Sequence, residues 1–338
     1  MKQTKNTGFL LTLGVLFFAF GFARADAPPF AKGADVGWLS EMESTGVKFF
    51  DAKGNPKDCL EILKEQGINS IRLRVWVNPA NNWCGKDDVV AMAKRAAGMG
   101  FRIMIDFHYS DSWADPGKQV KPAAWAGHDF NQLLDDVTQH TTDVLGALKA
   151  AGVTPEWVQV GNEIRPGMLL PDGSIKNWPQ LTQLLNKGYD AVKAVDPDTK
   201  VVIHVDNGFD NSLFRWWFDN ATKNGVKFDV IGMSLYPKTP EDVPQITDEC
   251  LANMNDMVAR YGKDVILSEI GLDRNAAQAS HDMLVKMIKG TESVTGGKGL
   301  GIFYWEPESS NWNHYNKGAW NDDGKPTIAM DAFLDADK

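Results

Sequence analysis

The chain has 338 residues, 43% hydrophobic and 23% charged, with a formal net charge of −9. That is ordinary globular composition, long enough for one large domain or two small ones. The acidic balance and the lack of any basic run argue against nucleic acid or an anionic membrane as a partner.

The first 25 residues read as a secretory leader rather than as part of the fold. Lys2 and Lys5 are basic, residues 8–22 are almost wholly apolar, and Ala23, Arg24 and Ala25 form the small-x-small pattern that a signal peptidase reads. The apolar run is short for a membrane span of about 20 residues, and Pro28 and Pro29 follow it closely. Cleavage after Ala25 leaves 32 basic residues against 44 acidic ones, a net charge of −12. The mature chain, residues 26–338, is then expected to be secreted or periplasmic, clear of the membrane and monomeric.

Eight short apolar runs follow, each ending in polar or aromatic residues: 33–38, 70–76, 101–108, 157–163, 201–206, 228–236, 265–269 and 301–306. Helical patterns lie between and after them, at 58–66, 88–97, 130–151, 181–195, 211–223, 248–261, 276–288 and 327–334. Strand–helix alternation over the whole chain predicts parallel strands with crossover helices. Eight such units predict an α/β chain closed into one (β/α)8 barrel, a TIM barrel, as a single domain. The glycines at 296, 297 and 299 precede a strand instead of following one, so they read as a turn and not as a phosphate loop. Cys59, Cys84 and Cys250 form no CxxC pair. A Cys59–Cys84 disulfide is one reading and free buried thiols are the other.

A barrel of this kind carries its active site at the carboxyl ends of the strands. Here those ends hold Asp35, Trp38, Arg74, Trp76, His108, Asn162, Glu163, His204, Asp206, Tyr236, Glu269, Trp305 and Glu306. Glu163 ends the fourth strand and Glu269 the seventh, so they approach the barrel mouth from opposite sides. Glycoside hydrolysis needs two carboxyls flanking the scissile bond, roughly 5–5.5 Å apart in a retaining enzyme. One must hold a proton, which burial or its neighbour can secure. The other must stay ionised, and Arg74 is the expected cation beside it. Asn162 is placed to donate to the sugar 2-hydroxyl. Trp305 and Trp320 are expected to stack on the sugar, whereas Trp216 and Trp217 sit in a helix and are expected in the core. Asp35, His108, His204, Asp206 and Tyr236 complete the expected substrate contacts. No metal or cofactor is expected.

The segments at 33–36, 71–79, 106–119, 158–169, 268–271 and 304–307 resemble the endo-β-1,4-galactanases, a family within the large clan of retaining (β/α)8 glycosidases. The resemblance spans about residues 33 to 334, and its most specific stretch is 106–119. It implies endo-hydrolysis of β-1,4-galactan in type I arabinogalactan, with Glu163 as acid/base and Glu269 as nucleophile. Leu170 before Pro171, and Lys238 and Thr239 after Tyr236, depart from the aromatic residues of the family pattern. The family's calcium-binding loop is not expected, because residues 272–277 are short and hold one acid. Three other readings stand beside this one. A metal-dependent hydrolase would use Asp106, His108, His204 and Asp206. A non-enzymatic glycan-binding barrel should have lost a carboxylate. A related glycanase would cut mannan, xylan or glucan.

Overall fold

The apolar runs become strands because β-branched and aromatic residues fit a sheet buried on both faces. The computed structural model describes residues 1–4 and 29–338, so most of the expected leader, residues 5–25, lies outside the described residues. The strands are β1 (Ala31–Asp35), β2 (Ser70–Val75), β3 (Arg102–Phe107), β4 (Trp157–Val160), β5 (Lys200–Val205), β6 (Val230–Leu235), β7 (Asp264–Ile270) and β8 (Gly299–Trp305). They pair in parallel and in sequence, and β8 closes on β1. The crossover helices include Phe130–Ala150, which opens on an Asp129–Gln132 capping box, and Val243–Tyr261, which starts earlier than its apolar pattern, with a proline in its first turn. The terminal helical pattern resolves into a 3-10 turn, Ile328–Asp331, and a short helix, Ala332–Asp335. The helix Leu39–Ser44 and a small hairpin pairing Gly167–Met168 with Gly173–Ser174 have no counterpart among the predicted elements, nor do short 3-10 turns such as Ala123–Trp125.

Side chains alternate along a strand, so every second residue points into the barrel. The lower interior is apolar: Ala31, Met104, Trp157, Val202, Val230, Ile266 and Phe303 form one buried cluster. Gly33 has to be glycine, because a Cβ there would sit 2.2 Å from the Phe303 ring. Two residues further along, the inward positions turn polar, with Arg72, Asp106, Gln159 and His204 all buried. The apolar plug thus gives way to a buried polar layer beneath the strand ends.

Cys59, Cys84 and Cys250 are buried and free, so the free-thiol alternative holds. The Cys84 thiol donates to the Gly37 carbonyl at 3.2 Å. Among the described residues, no helix is long and apolar enough to cross a membrane.

Candidate active site

Strand β4 stops at Val160, and the chain then turns sharply through Gly161, at φ 86°, and Glu163, at φ 46°. A left-handed backbone is cheap for glycine but costs a residue with a Cβ about 1–3 kcal/mol. Two backbone bonds hold the turn: Gly161 N–H donates to Phe107 at 3.1 Å, and Ile164 N–H to His204 at 3.0 Å. Glu163 is thereby lifted over the barrel mouth, where its Oε1 accepts from the Ser234 hydroxyl at 2.6 Å. Glu269 lies opposite Ser234 in the β6–β7 register. Its Oε2 accepts from the Tyr236 hydroxyl at 2.8 Å, and its Oε1 lies 3.0 Å from Arg72 Nη2. Both glutamates line one hollow of about 310 Å³, together with His108, Asn162, Tyr236 and Trp305.

Arg72 organises the layer below. Its guanidinium contacts Gln159 at 3.0 Å, Asp35 at 2.6 Å, and Asp106 and Asn162 at 2.9 Å each, besides Glu269. Burial alone would raise the Asp106 carboxyl, but Arg72 and His108 outweigh it and hold it down at about 2. Glu163 pairs with no cation within 4 Å among the described residues, and burial first, then the charge of Glu269, pushes its carboxyl well above the usual range. Burial also raises Glu269, but there Arg72 and the Tyr236 hydroxyl pull the other way. The two carboxyls titrate as a coupled pair, and the Arg72 guanidinium at 3.0 Å favours the charged form at Glu269 over Glu163.

A hydroxyl relay backs Glu163. His204 Nε2 lies 2.8 Å from Ser234 Oγ, and its Nδ1 lies 2.9 Å from Asn162 Oδ1 and 3.1 Å from Gln159 Nε2. Arg72 fixes both amides by donating to their oxygens. Nδ1 therefore faces one acceptor and one donor, and either tautomer is satisfied. Burial, then the charge of Arg72, keeps the ring neutral by lowering its pKa far below the ordinary value. With Ser234 donating to Glu163, the His204 Nε2–H tautomer completes the chain by donating to Ser234.

Several expected contacts lie elsewhere. Arg74 is not the cation beside Glu269. It sits one inward layer above Arg72, ion-pairs with Glu306 and lies 3.6 Å from Asp35. Arg72 takes its place, and the shared parity of the two arginines on β2 was the available signal. Asp35 and His204 are fully buried and cannot touch a sugar, because their polar atoms serve Arg72, Asn162 and Ser234. Trp320 is 1% exposed, since its pairing with Pro326 turns the ring inward, so it offers no stacking face. Asp206 is 3.1 Å from Arg165 and is not part of the hollow's lining. His108 lines the hollow, but its ring nitrogens are taken by Asp106 on one side and by Ala114 and Trp76 on the other. Asp106, His108, His204 and Asp206 do not converge, and no three such side chains form a metal cage among the described residues. Ser234, Gln159, Tyr315 and Lys317 escaped the sequence reading, Ser234 because a lone serine in a strand carries no signal.

Residues 31–336 match the family model described as glycosyl hydrolase family 53. The arabinogalactan endo-beta-1,4-galactanase of Thermothelomyces thermophilus is 32% identical over 304 residues, covering 84% of this chain and 90% of that one. The enzyme of the same name from Humicola insolens is 33% identical over 306 residues, with coverage of 84% and 90%. A solved structure of fungal beta-1,4-galactanases superposes with a TM-score of 0.82 at 30% identity, covering 89% of this chain and 98% of the other. Matched from its first barrel strand to its last helix, this chain belongs to glycosyl hydrolase family 53.

Proposed function

We propose that this enzyme cleaves β-1,4-galactosidic bonds within galactan of the arabinogalactan type and retains the anomeric configuration. Glu163 is the acid/base and Glu269 the nucleophile. The observation that carries this reading is the asymmetry of the pair. Glu269 faces the buried Arg72 at 3.0 Å, while Glu163 meets only a hydroxyl, with no cation within 4 Å among the described residues.

The protonated Glu163 gives its proton to the glycosidic oxygen as a Glu269 oxygen bonds to the anomeric carbon. The carbon–oxygen bond breaks, and the leaving sugar departs with a new hydroxyl. Glu163, now ionised, takes a proton from water, whose oxygen displaces Glu269 from the same carbon. Two inversions give net retention. The Ser234 hydroxyl, 2.6 Å from Glu163, supports the carboxylate that is left once the proton has gone. Asn162 spends one amide N–H on the Ala114 carbonyl at 2.9 Å. The second is left to donate to the sugar 2-hydroxyl, where a hydrogen bond strengthens in the transition state.

The substrate assignment rests on the named relatives and on the family match. Secretion rests on the basic, apolar and small-residue pattern of the first 25 residues. The test is the initial rate on galactan, mannan, xylan and cellulose, with product profiles over time. Galactan should be cut fastest, with longer oligosaccharides appearing first. Faster cleavage of mannan or xylan would overturn the substrate and leave the two glutamates standing.

A further inference from the structure

Beyond the catalytic hollow, a second depression of about 210 Å³ runs between the loops that follow β2 and β3. Trp113 lines both, so the two hollows share a wall. Trp83 stands in the second one, half-buried, with no aromatic partner among the described residues and no place in the hydrophobic core. Its backbone neighbours are both left-handed, Asn82 at φ 63° and Cys84 at φ 57°. Asparagine tolerates that region, but cysteine rarely adopts it. The segment is nonetheless pinned. Cys84 N–H donates to Asp88 at 2.7 Å, its carbonyl accepts from Trp76 N–H at 2.8 Å, and its thiol reaches Gly37. Strain of this kind persists only where the surroundings over-determine it, and it clusters at ligand-binding positions. Here it fixes an indole that stands outside the hydrophobic core.

The polar surroundings suit a sugar. Glu41, Asn81 and Asn313 line the same depression, and their side chains make no hydrogen bond within the described protein. Pockets that engulf a whole small molecule run about 300–1,000 Å³. A smaller, open depression that shares the Trp113 wall with the cleft suits one ring of a longer chain.

We infer that Trp83 is the platform of a distal subsite that holds a galactosyl residue of the same chain whose scissile bond lies at Glu163 and Glu269. This rests on the galactanase reading above. The experiment measures kcat and KM of the full-length enzyme and of Trp83→Ala and Trp83→Phe on β-1,4-galacto-oligosaccharides of increasing length and on galactan. For Trp83→Ala, KM should rise roughly fivefold on the longest chains, a typical return for an aromatic contact. The loss should shrink as the chain shortens, and kcat should move less than KM. Trp83→Phe, which restores a flat face, should recover most of the difference. A Trp83→Ala enzyme that loses the same factor at every length, or none at any, would overturn the subsite, as would a Trp83→Phe enzyme no better than Trp83→Ala. If the wild-type enzyme cut no galactan at all, the galactanase reading would fall and take the subsite with it.

Discussion

The top of the barrel buries two pairs of carboxyls, Glu163 with Glu269 and Glu306 with Glu308, and the likeness between them is close. Each pair has one member with a left-handed backbone, Glu163 at φ 46° and Glu306 at φ 47°. Each has one member beside a buried arginine of β2, Arg72 at Glu269 and Arg74 at Glu306. Burial raises all four carboxyls. What separates the pairs is access. Glu163 and Glu269 line the hollow, whereas Glu306 is 0% and Glu308 1% exposed. Both Glu308 oxygens lack a hydrogen-bond partner among the described residues, and burial, then the charge of Glu306, pushes the Glu308 carboxyl well above the usual range. Raised pKa values and strained backbone therefore mark both pairs, and only an opening to solvent tells the pair proposed as catalytic from the buried one.

Substitutions that treat the pairs alike should break this likeness. Glu269→Gln should lower kcat on galactan by about 10⁴-fold or more, because no other group can form the glycosyl ester. Glu308→Gln, which keeps shape and removes only the titrating proton, should leave kcat within about threefold. A comparable loss in both variants, measured as initial rates, would mean that the Glu306–Glu308 pair takes part in chemistry.

Glu163→Ala should slow galactan cleavage by about 10²–10⁴-fold, the usual share of an acid/base. A galactoside with a good leaving group needs little protonation, so its first step should be spared. Added azide should then accelerate turnover and give a β-galactosyl azide. Equal loss on both substrates, and no response to azide, would place the acid elsewhere.

The two arginines sharpen the contrast. Arg72→Lys keeps a charge but loses the planar fork that binds five partners, and kcat should drop by about 10²-fold. Arg74→Lys should lower the melting temperature and cost kcat less than tenfold. Rates and thermal unfolding of the two variants decide the matter, and a reversed order would exchange their roles.

The smallest effect is one of pH on stability. Burial pushes the Glu306 carboxyl up to about 7, against an ordinary value of 4.5. A carboxyl raised in the folded state is stabilising below its unfolded value, and that contribution fades as pH rises through the folded value. The excess stability of wild type over Glu306→Gln, which removes that titration, should therefore decline between about pH 4.5 and 7, by on the order of a few degrees in melting temperature. A difference that is flat with pH would show that folding does not raise the Glu306 carboxyl.

Much of this arrangement was legible in the sequence, for physical reasons. Eight apolar runs ended in polar residues because the barrel interior changes from plug to site within two residues of each strand. Glu163 and Glu269 stood out because an acid is costly at a strand end unless it has work to do. The choice between Arg72 and Arg74 was not legible, since both point inward and only the three-dimensional height of each layer separates them. Trp320 misled because a tryptophan after the last strand can face the mouth or fold back, and a two-residue bridge to Pro326 decided it. The relay through Ser234 and His204 depends on a contact across 30 residues, which no local pattern announces.

If Glu269, held ionised by Arg72, makes the bond to the sugar, a reagent that traps the glycosyl ester should label it. A 2-deoxy-2-fluoro galacto-oligosaccharyl fluoride tests this directly. The ring fluorine slows both steps by destabilising the cationic transition state, while the good leaving group restores the first, so the ester accumulates. Proteolysis and mass spectrometry should find the sugar on Glu269 alone. A label on Glu163, or turnover of the reagent with no labelled residue, would contradict the account.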